Sequence, residues 1–210
     1  METLIIIALV LTSITAITFI IERGLALREA RIIPPPLASA VLNGQGARDL
    51  SLIRSISTQN DSPLSRLILF ATDHLDLPKS ENMALIETRA RYEITKIERG
   101  LVILEIIVGI APLLGLVGTI FGLITLFASL DGGASADNSK FAQGISVALN
   151  ATLLGLLIAI PALIAWSYYS RKVEAFAIRM ETLCDEFLRK HYRTSAAESS
   201  SPARANSATL

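Results

Sequence analysis

The sequence predicts an all-α integral membrane protein that crosses the bilayer three times. Three observations predict it. First, the 210 residues are 51% hydrophobic and only 18% charged, with a mean hydropathy of +0.52. Soluble domains carry about 25% charge. Second, the apolar residues gather into three windows, each long enough to cross a hydrocarbon core of about 30 Å at 1.5 Å per residue. Third, the 19 basic and 19 acidic residues cancel, yet they crowd into the segments between those windows.

Residues 1–22 make the first transmembrane helix, centred on Leu4–Ile21, "LIIIALVLTSITAITFII". No basic stretch precedes it and no small-x-small cleavage site follows, so it reads as a span rather than a cleaved leader. The second span is 101–129 and the third 141–169, joined by a short 130–140 link. Residues 23–100 hold eleven Lys and Arg and residues 171–210 hold seven, against one, Lys140, in the link. The positive-inside rule then puts the 23–100 loop and the C-terminal tail in the cytoplasm, with the N-terminus and the link outside.

The 23–100 loop reads as helical. Proline starts and a glycine stop bracket a short helix within 34–46, a second follows over 47–57, and Asp61, Ser62 and Pro63 open a third over 61–75. From Ser80 the stripe Ile86, Ala90, Ile94, Ile97, Leu101 continues without a break into the second span. The third span likewise runs on through 170–193, where Val173, Phe176, Met180, Leu183 and Phe187 recur at helical spacing. That stripe packs either within its own subunit or against a neighbour. Residues 194–210 are low in complexity and read as a disordered tail.

No phosphate loop, zinc spacing or nucleophile elbow is present, so no catalytic residue, metal site or cofactor is predicted and the chain does not read as an enzyme. Basic residues are interleaved with acids, which argues against nucleic acid as a partner. The single cysteine, Cys184, excludes an internal disulfide and, as a free thiol, suits the cytoplasm.

The second and third spans are more elaborate than anchors need to be. Gly115, Gly118 and Gly122, with Ala151, Gly155 and Ala159 opposite, suit helices that approach closely in lipid. Pro112 and Pro161 each remove a backbone donor, freeing the carbonyls of Val108 and Leu157. Thr119 and Thr152 fall at the same depth on antiparallel spans, about 14 Å from the outer surface at 1.5 Å per residue. One such threonine is usually silent, because its hydroxyl bonds its own helix. Two at one level suit a polar ring around a shared space. Asn150 must face protein or water rather than lipid. Glu105 is the only carboxylate inside the apolar windows Leu4–Ile21, 101–129 and 141–169. It reads either as an ion acceptor or as an interfacial residue that snorkels or pairs with Arg99. A proton relay built from this chain alone has no titratable group at mid-membrane.

The stretches "APLLGLVGTIFGLI" (111–124) and "GISVALNATLLGLLIAIPALIAWSYYSRKVE" (144–174) resemble the pore helices of the MotA/TolQ/ExbB proton channel family, with ExbB/TolQ-type members the nearest match. The P-x-x-G-x-x-G-T, A-L-x-x-T and A-I-P patterns occur in order. The resemblance implies a multi-pass protein of the bacterial inner membrane, in a ring of typically five copies whose second and third spans line a pore. It implies a dimer of single-span ExbD/TolR-like partners within, an aspartate on the partner carrying the proton, and a TonB/TolA-like third protein. Thr119 and Thr152 match the family's pore threonines. The work done would drive an envelope process such as TonB-dependent outer-membrane transport, with gliding, secretion or stator-like motors as alternatives. Val147 stands where family members often carry glutamate, five residues before the third-span threonine. Three spans rather than four count against the flagellar stator branch. A non-conducting membrane scaffold is the reading of a different class. A solute transporter would show paired repeats, and "GLVGT" has no second copy.

Overall fold

The computed structural model describes residues 2–44, 49–130 and 138–199. Among them the chain forms seven helices: α1 (Glu2–Ala26), α2 (Glu29–Ile32), α3 (Pro35–Asn43), α4 (Leu50–Gln59), α5 (Pro63–Asp73), α6 (Lys79–Leu130) and α7 (Asn138–Ser199). Three stretches are long and apolar enough to cross a membrane: Thr3–Ala26, Lys79–Phe127 and Gly144–Arg193. Residues 131–137 of the outer link and 200–210 of the tail lie outside the described residues. α7 stays helical to Ser199, beyond the expected start of the tail at 194. The short α2 has no counterpart in the sequence reading, being too brief to show a period.

Local chemistry sets the helix ends. Pro63 takes the first position of α5, where its missing N–H costs nothing, and the Ser62 hydroxyl accepts the Ser65 N–H at 3.1 Å. α3 starts on Pro35, and at its end the Gly44 N–H returns to the carbonyl of Ala40. α6 is one helix of 52 residues and α7 one of 62. Each passes through its internal proline, Pro112 or Pro161, without a break. In lipid the missing hydrogen bond must be compensated by neighbouring groups or water.

The chain divides into two compact units. The first holds Met1–Ala26 and Glu98–Arg171, which is α1 with the apolar parts of α6 and α7. Its core is thin: Ala16, Ile107 and Ala162 meet, with Ile103, Val108 and Ile158 around them. The outward faces carry large apolar side chains, among them Leu113, Phe127, Leu149 and Ile164. The hydroxyls of Thr12, Thr15 and Thr18 donate to the carbonyls of Ala8, Leu11 and Ile14, each at 2.8 Å, so α1 shows lipid almost no unpaired donor.

The second unit holds Leu27–Ile97 and Lys172–Leu210. Its core is that of a soluble domain, with Leu37, Leu64, Leu67, Ile68, Met180 and Leu188 all essentially without exposure. The stripe Val173, Phe176, Met180, Leu183, Phe187 is buried within this unit of its own chain. That answers the open question about the stripe: the contact is intramolecular. Cys184 is buried there as a free thiol.

One buried charge stands out in the second unit. Glu93 has no exposure, and its Oε2 accepts both the Nε of Arg66 at 3.0 Å and one terminal nitrogen of Arg66 at 2.6 Å. Arg89 approaches the other oxygen at 3.3 Å and lies over the rings of Phe70 and Tyr92. Asp61 also accepts from Arg66. The hydrogen bond that Arg66 donates to Glu93 holds its guanidinium above the ordinary pKa, against desolvation, which lowers it. Asn82 closes the turn between α5 and α6 by donating to the carbonyls of Ala71 and His74.

Candidate ion-pathway site on the paired apolar helices

Small residues bring α6 and α7 together in the first unit. A β-carbon on Gly155 would stand 2.6 Å from the Ala111 carbonyl oxygen and 3.2 Å from the Gly115 Cα. One on Gly115 would stand 2.9 Å from the Ala151 carbonyl oxygen and the same distance from the Thr152 Cα. The obstacles are backbone atoms, which cannot rotate away. Gly115 and Gly155 are therefore the point where the two helices touch main chain to main chain. Further along, Gly118 faces Ala151 and Gly122 faces Ala148, where an added carbon would meet the alanine methyls at 2.6 and 2.8 Å. The contact runs antiparallel for about two turns. Where no hydrophobic force draws helices together, this approach gains dispersion and close backbone dipoles instead.

The register of that contact fixes the threonines. Thr119 follows Gly118 and Thr152 follows Ala151, and Gly118 faces Ala151. On antiparallel helices those two steps lead in opposite directions, so the threonines do not share one level as expected from counting but stand within about one turn of each other along the axis. Their hydroxyls do different things. Thr152 donates across to the carbonyl of Gly115 at 3.2 Å, a cross-helix bond made possible by the missing side chain at 115. Thr119 donates back to Leu116 of its own helix at 2.6 Å and remains partly exposed. Each hydroxyl has spent its one proton on a backbone carbonyl. Each keeps oxygen lone pairs that can accept.

Asn150 is exposed on α7, in a neighbourhood of exposed Leu149, Leu153 and Leu154. An amide facing hydrocarbon is costly, so this surface calls for a polar neighbour. Glu105 is exposed on α6 between exposed Val102 and Ile106. Among the described residues no ion pair joins it to Arg99. Pro112 is half-buried and Pro161 exposed. The side chain of Val147 lies outside the described ones. No group of metal-ligating side chains occurs among the described residues.

Two contacts at the Arg-rich end of this unit have no signal in the sequence pattern. Arg23 lies flat across Gly100, in the space a side chain there would fill, and also pairs with Glu22 at 2.8 Å. The Tyr169 hydroxyl donates to the Ile20 carbonyl at 3.0 Å, linking α7 to α1. Gly24 makes room for that phenol. Arginine and tyrosine at a span end signal only an interface; their partners are set by how the helices meet.

Comparison with known proteins bears on what this arrangement belongs to. Residues 59–182 match the model of the MotA/TolQ/ExbB proton channel family. The Tol-Pal system protein TolQ of Pseudomonas aeruginosa is 30% identical over 198 residues, covering 88% of this chain and 84% of that protein. ExbB-like 1 of Synechocystis sp. is 35% identical over 182 residues, covering 80% of this chain and 69% of its own length. The biopolymer transport protein ExbB of Helicobacter pylori is 38% identical over 79 residues, covering 38% and 54% respectively. The matched region takes in the α5 and α6 helices, the Gly115–Gly155 contact and both threonines. With three apolar helices and that match, the chain is a membrane protein that belongs to the MotA/TolQ/ExbB proton channel family.

Proposed function

We propose that this chain is the channel subunit of an inner-membrane complex that turns proton-motive force into mechanical work on the cell envelope. The observation that carries this is that Thr119 and Thr152 stand within about one turn of each other on two helices in backbone contact, with no titratable group beside them. In this reading several copies, five by resemblance, form a ring, and Thr119 and Thr152 face its centre. Asn150 then meets protein or water instead of lipid. The loop and the tail lie in the cytoplasm, following the basic residues.

The missing acid comes from a partner. Both hydroxyl protons are committed to backbone carbonyls, so the wall offers acceptor lone pairs within about one turn of each other. A neutral carboxylic acid on a central helix donates its O–H to that ring, and the ionised carboxylate does not. The wall therefore distinguishes the two protonation states of a partner aspartate, which is what a proton-driven step requires. Relatives named ExbB and TolQ support an ExbD/TolR-like dimer as that partner, with a TonB/TolA-like protein carrying work outward. Glu105 sits on the cytoplasmic side as a candidate exit for the ion. Val147 supplies no carboxylate at a position where, by the resemblance, family members often carry glutamate.

The test is proton flux into vesicles holding the chain with its single-span partner. Thr119→Ala with Thr152→Ala is expected to preserve assembly and cut partner-dependent flux at least tenfold. Full flux in the double variant would overturn the role of the hydroxyls, and flux absent from the unaltered complex would favour a non-conducting scaffold.

A further inference from the structure

Two exposed faces of the second unit carry matching patterns. On α6, Arg89, Tyr92 and Lys96 follow one another at steps of three and four residues, so they stand on one helix face. Tyr92 is 50% exposed, and the cations of Arg89 and Lys96 lie over its ring at 5.1 and 4.5 Å from the centroid. On α7, Glu174, Ile178 and Glu181 follow at steps of four and three residues and likewise share a face. Ile178 is 60% exposed, between exposed Glu174 and exposed Glu181. Among the described residues Lys96, Glu174 and Glu181 enter no ion pair. α6 thus presents an aromatic ring between two cations, and α7 an aliphatic side chain between two anions.

The two faces do not meet within one chain. α6 and α7 flank a groove lined by Ala90 and Ile94 of the first and by Ala177 and Glu181 of the second. Tyr92 lies two residues, or about 200° of helix, from both Ala90 and Ile94, so it points away from α7. The groove also fixes the heights. Residues 83–94 of α6 lie opposite residues 177–184 of α7, and the two helices run in opposite directions. Arg89 therefore stands at the height of Glu181, Tyr92 at that of Ile178 and Lys96 at that of Glu174, to within about one turn. Copies that share one membrane stand at one height, so a face on one copy meets only a face at the same height on the next. At each height the charges are opposite, and the ring falls level with Ile178. We propose that the α6 face of one copy docks on the α7 face of the next, Arg89 on Glu181, Tyr92 on Ile178 and Lys96 on Glu174. This rests on the ring of copies proposed above and names its lateral contact. The contact is heterologous, because the two faces differ and point in different directions, and repeating it about an axis closes a ring. Tyrosine and arginine are the residue types that most often carry binding energy at such contacts, while the outer charge pairs fix register more than affinity.

Cysteine crosslinking of the full chain in its membrane tests this, in a Cys184→Ala background. If that background fails to fold, Cys184 is kept, since it is buried. Tyr92→Cys combined with Ile178→Cys is expected to give a ladder of dimers, trimers and higher forms on oxidation, and either cysteine alone none. Lys96→Glu is expected to lower the crosslinked yield at least fivefold, and Glu174→Lys in the same chain to restore it. Native mass spectrometry of the unaltered protein reads the assembly separately. An oligomer that persists while the double-cysteine chain gives no ladder overturns this contact and leaves the ring standing. A monomeric unaltered chain removes both. Dimers from Tyr92→Cys alone would show that like faces meet and would overturn the proposal, as would failure of Glu174→Lys to restore the yield lost in Lys96→Glu.

Discussion

The two units of this chain are stabilised by opposite means. The first excludes polar groups and bulk: its tightest contact is backbone on backbone at Gly115 and Gly155, and its hydroxyls bond carbonyls. The second buries large side chains and even a full charge, with Glu93 held by Arg66. The difference follows from solvent. Water drives Leu67 or Met180 inward, worth about 1.5–3 kcal/mol each. Lipid is as apolar as leucine, so in the first unit only shape and hydrogen bonds distinguish packed from separated helices.

The comparison breaks most readily at the buried charge. Glu93→Ala leaves Arg66 partly buried with only Asp61 to pair it. The expected loss is about 2–3 kcal/mol, below that for stranding a fully buried charge because Arg66 is partly exposed and keeps Asp61, read as a lowered unfolding midpoint by circular dichroism. A variant within 1 kcal/mol of the unaltered chain would show that the pair merely breaks even. Next comes Gly155→Val, where added carbons must displace the Ala111 carbonyl. Overpacking of this kind costs about 1–3 kcal/mol, and because helix contact rather than helix formation is lost, oligomer recovery should fall while helix content persists. Retained assembly would show that α6 and α7 tolerate a wider gap than 2.6 Å implies.

A pH experiment sharpens the view of the second unit. Burial pushes the Cys184 thiol from its usual value near 9 up to about 12. Its folded-state pKa is raised, so the stability linked to the bound proton is fully present below pH 9 and is lost as pH rises towards 12. Maleimide labelling at pH 7 should accordingly be slow in the folded chain and fast in denaturant. Rapid labelling of the native chain would mean that this core opens readily. The smallest effect belongs to Arg179→Ala, which removes an exposed pair with Glu29; about 0–1 kcal/mol is expected from chemical denaturation.

Much of the site was legible without a structure. Counting residues from the outer ends of the second and third windows brings Thr119 and Thr152 near one depth, because helix rise is constant, but the packed register staggers them by up to about one turn. The spacing of Gly115, Gly118 and Gly122 identifies the face that contacts its neighbour. What the hydroxyls do was not legible, since bonding back along a helix and bonding across to another differ only in how two helices meet. The Glu93–Arg66 pair, 27 positions apart, reads in sequence as two ordinary surface charges on separate helical segments. Nothing in the composition of Gly24 or Gly100 marks them as seats for Tyr169 and Arg23.

The sequence by itself determined three apolar spans, the small-residue face and the absence of an acid at their centre, because hydropathy and helical period act locally along the chain. Only the tertiary structure decided that Thr152 bonds Gly115, that the Val173–Phe187 stripe is buried within its own unit, and that Glu93 is interior. Those depend on distances between segments far apart in sequence, and such distances exist only once the helices have packed.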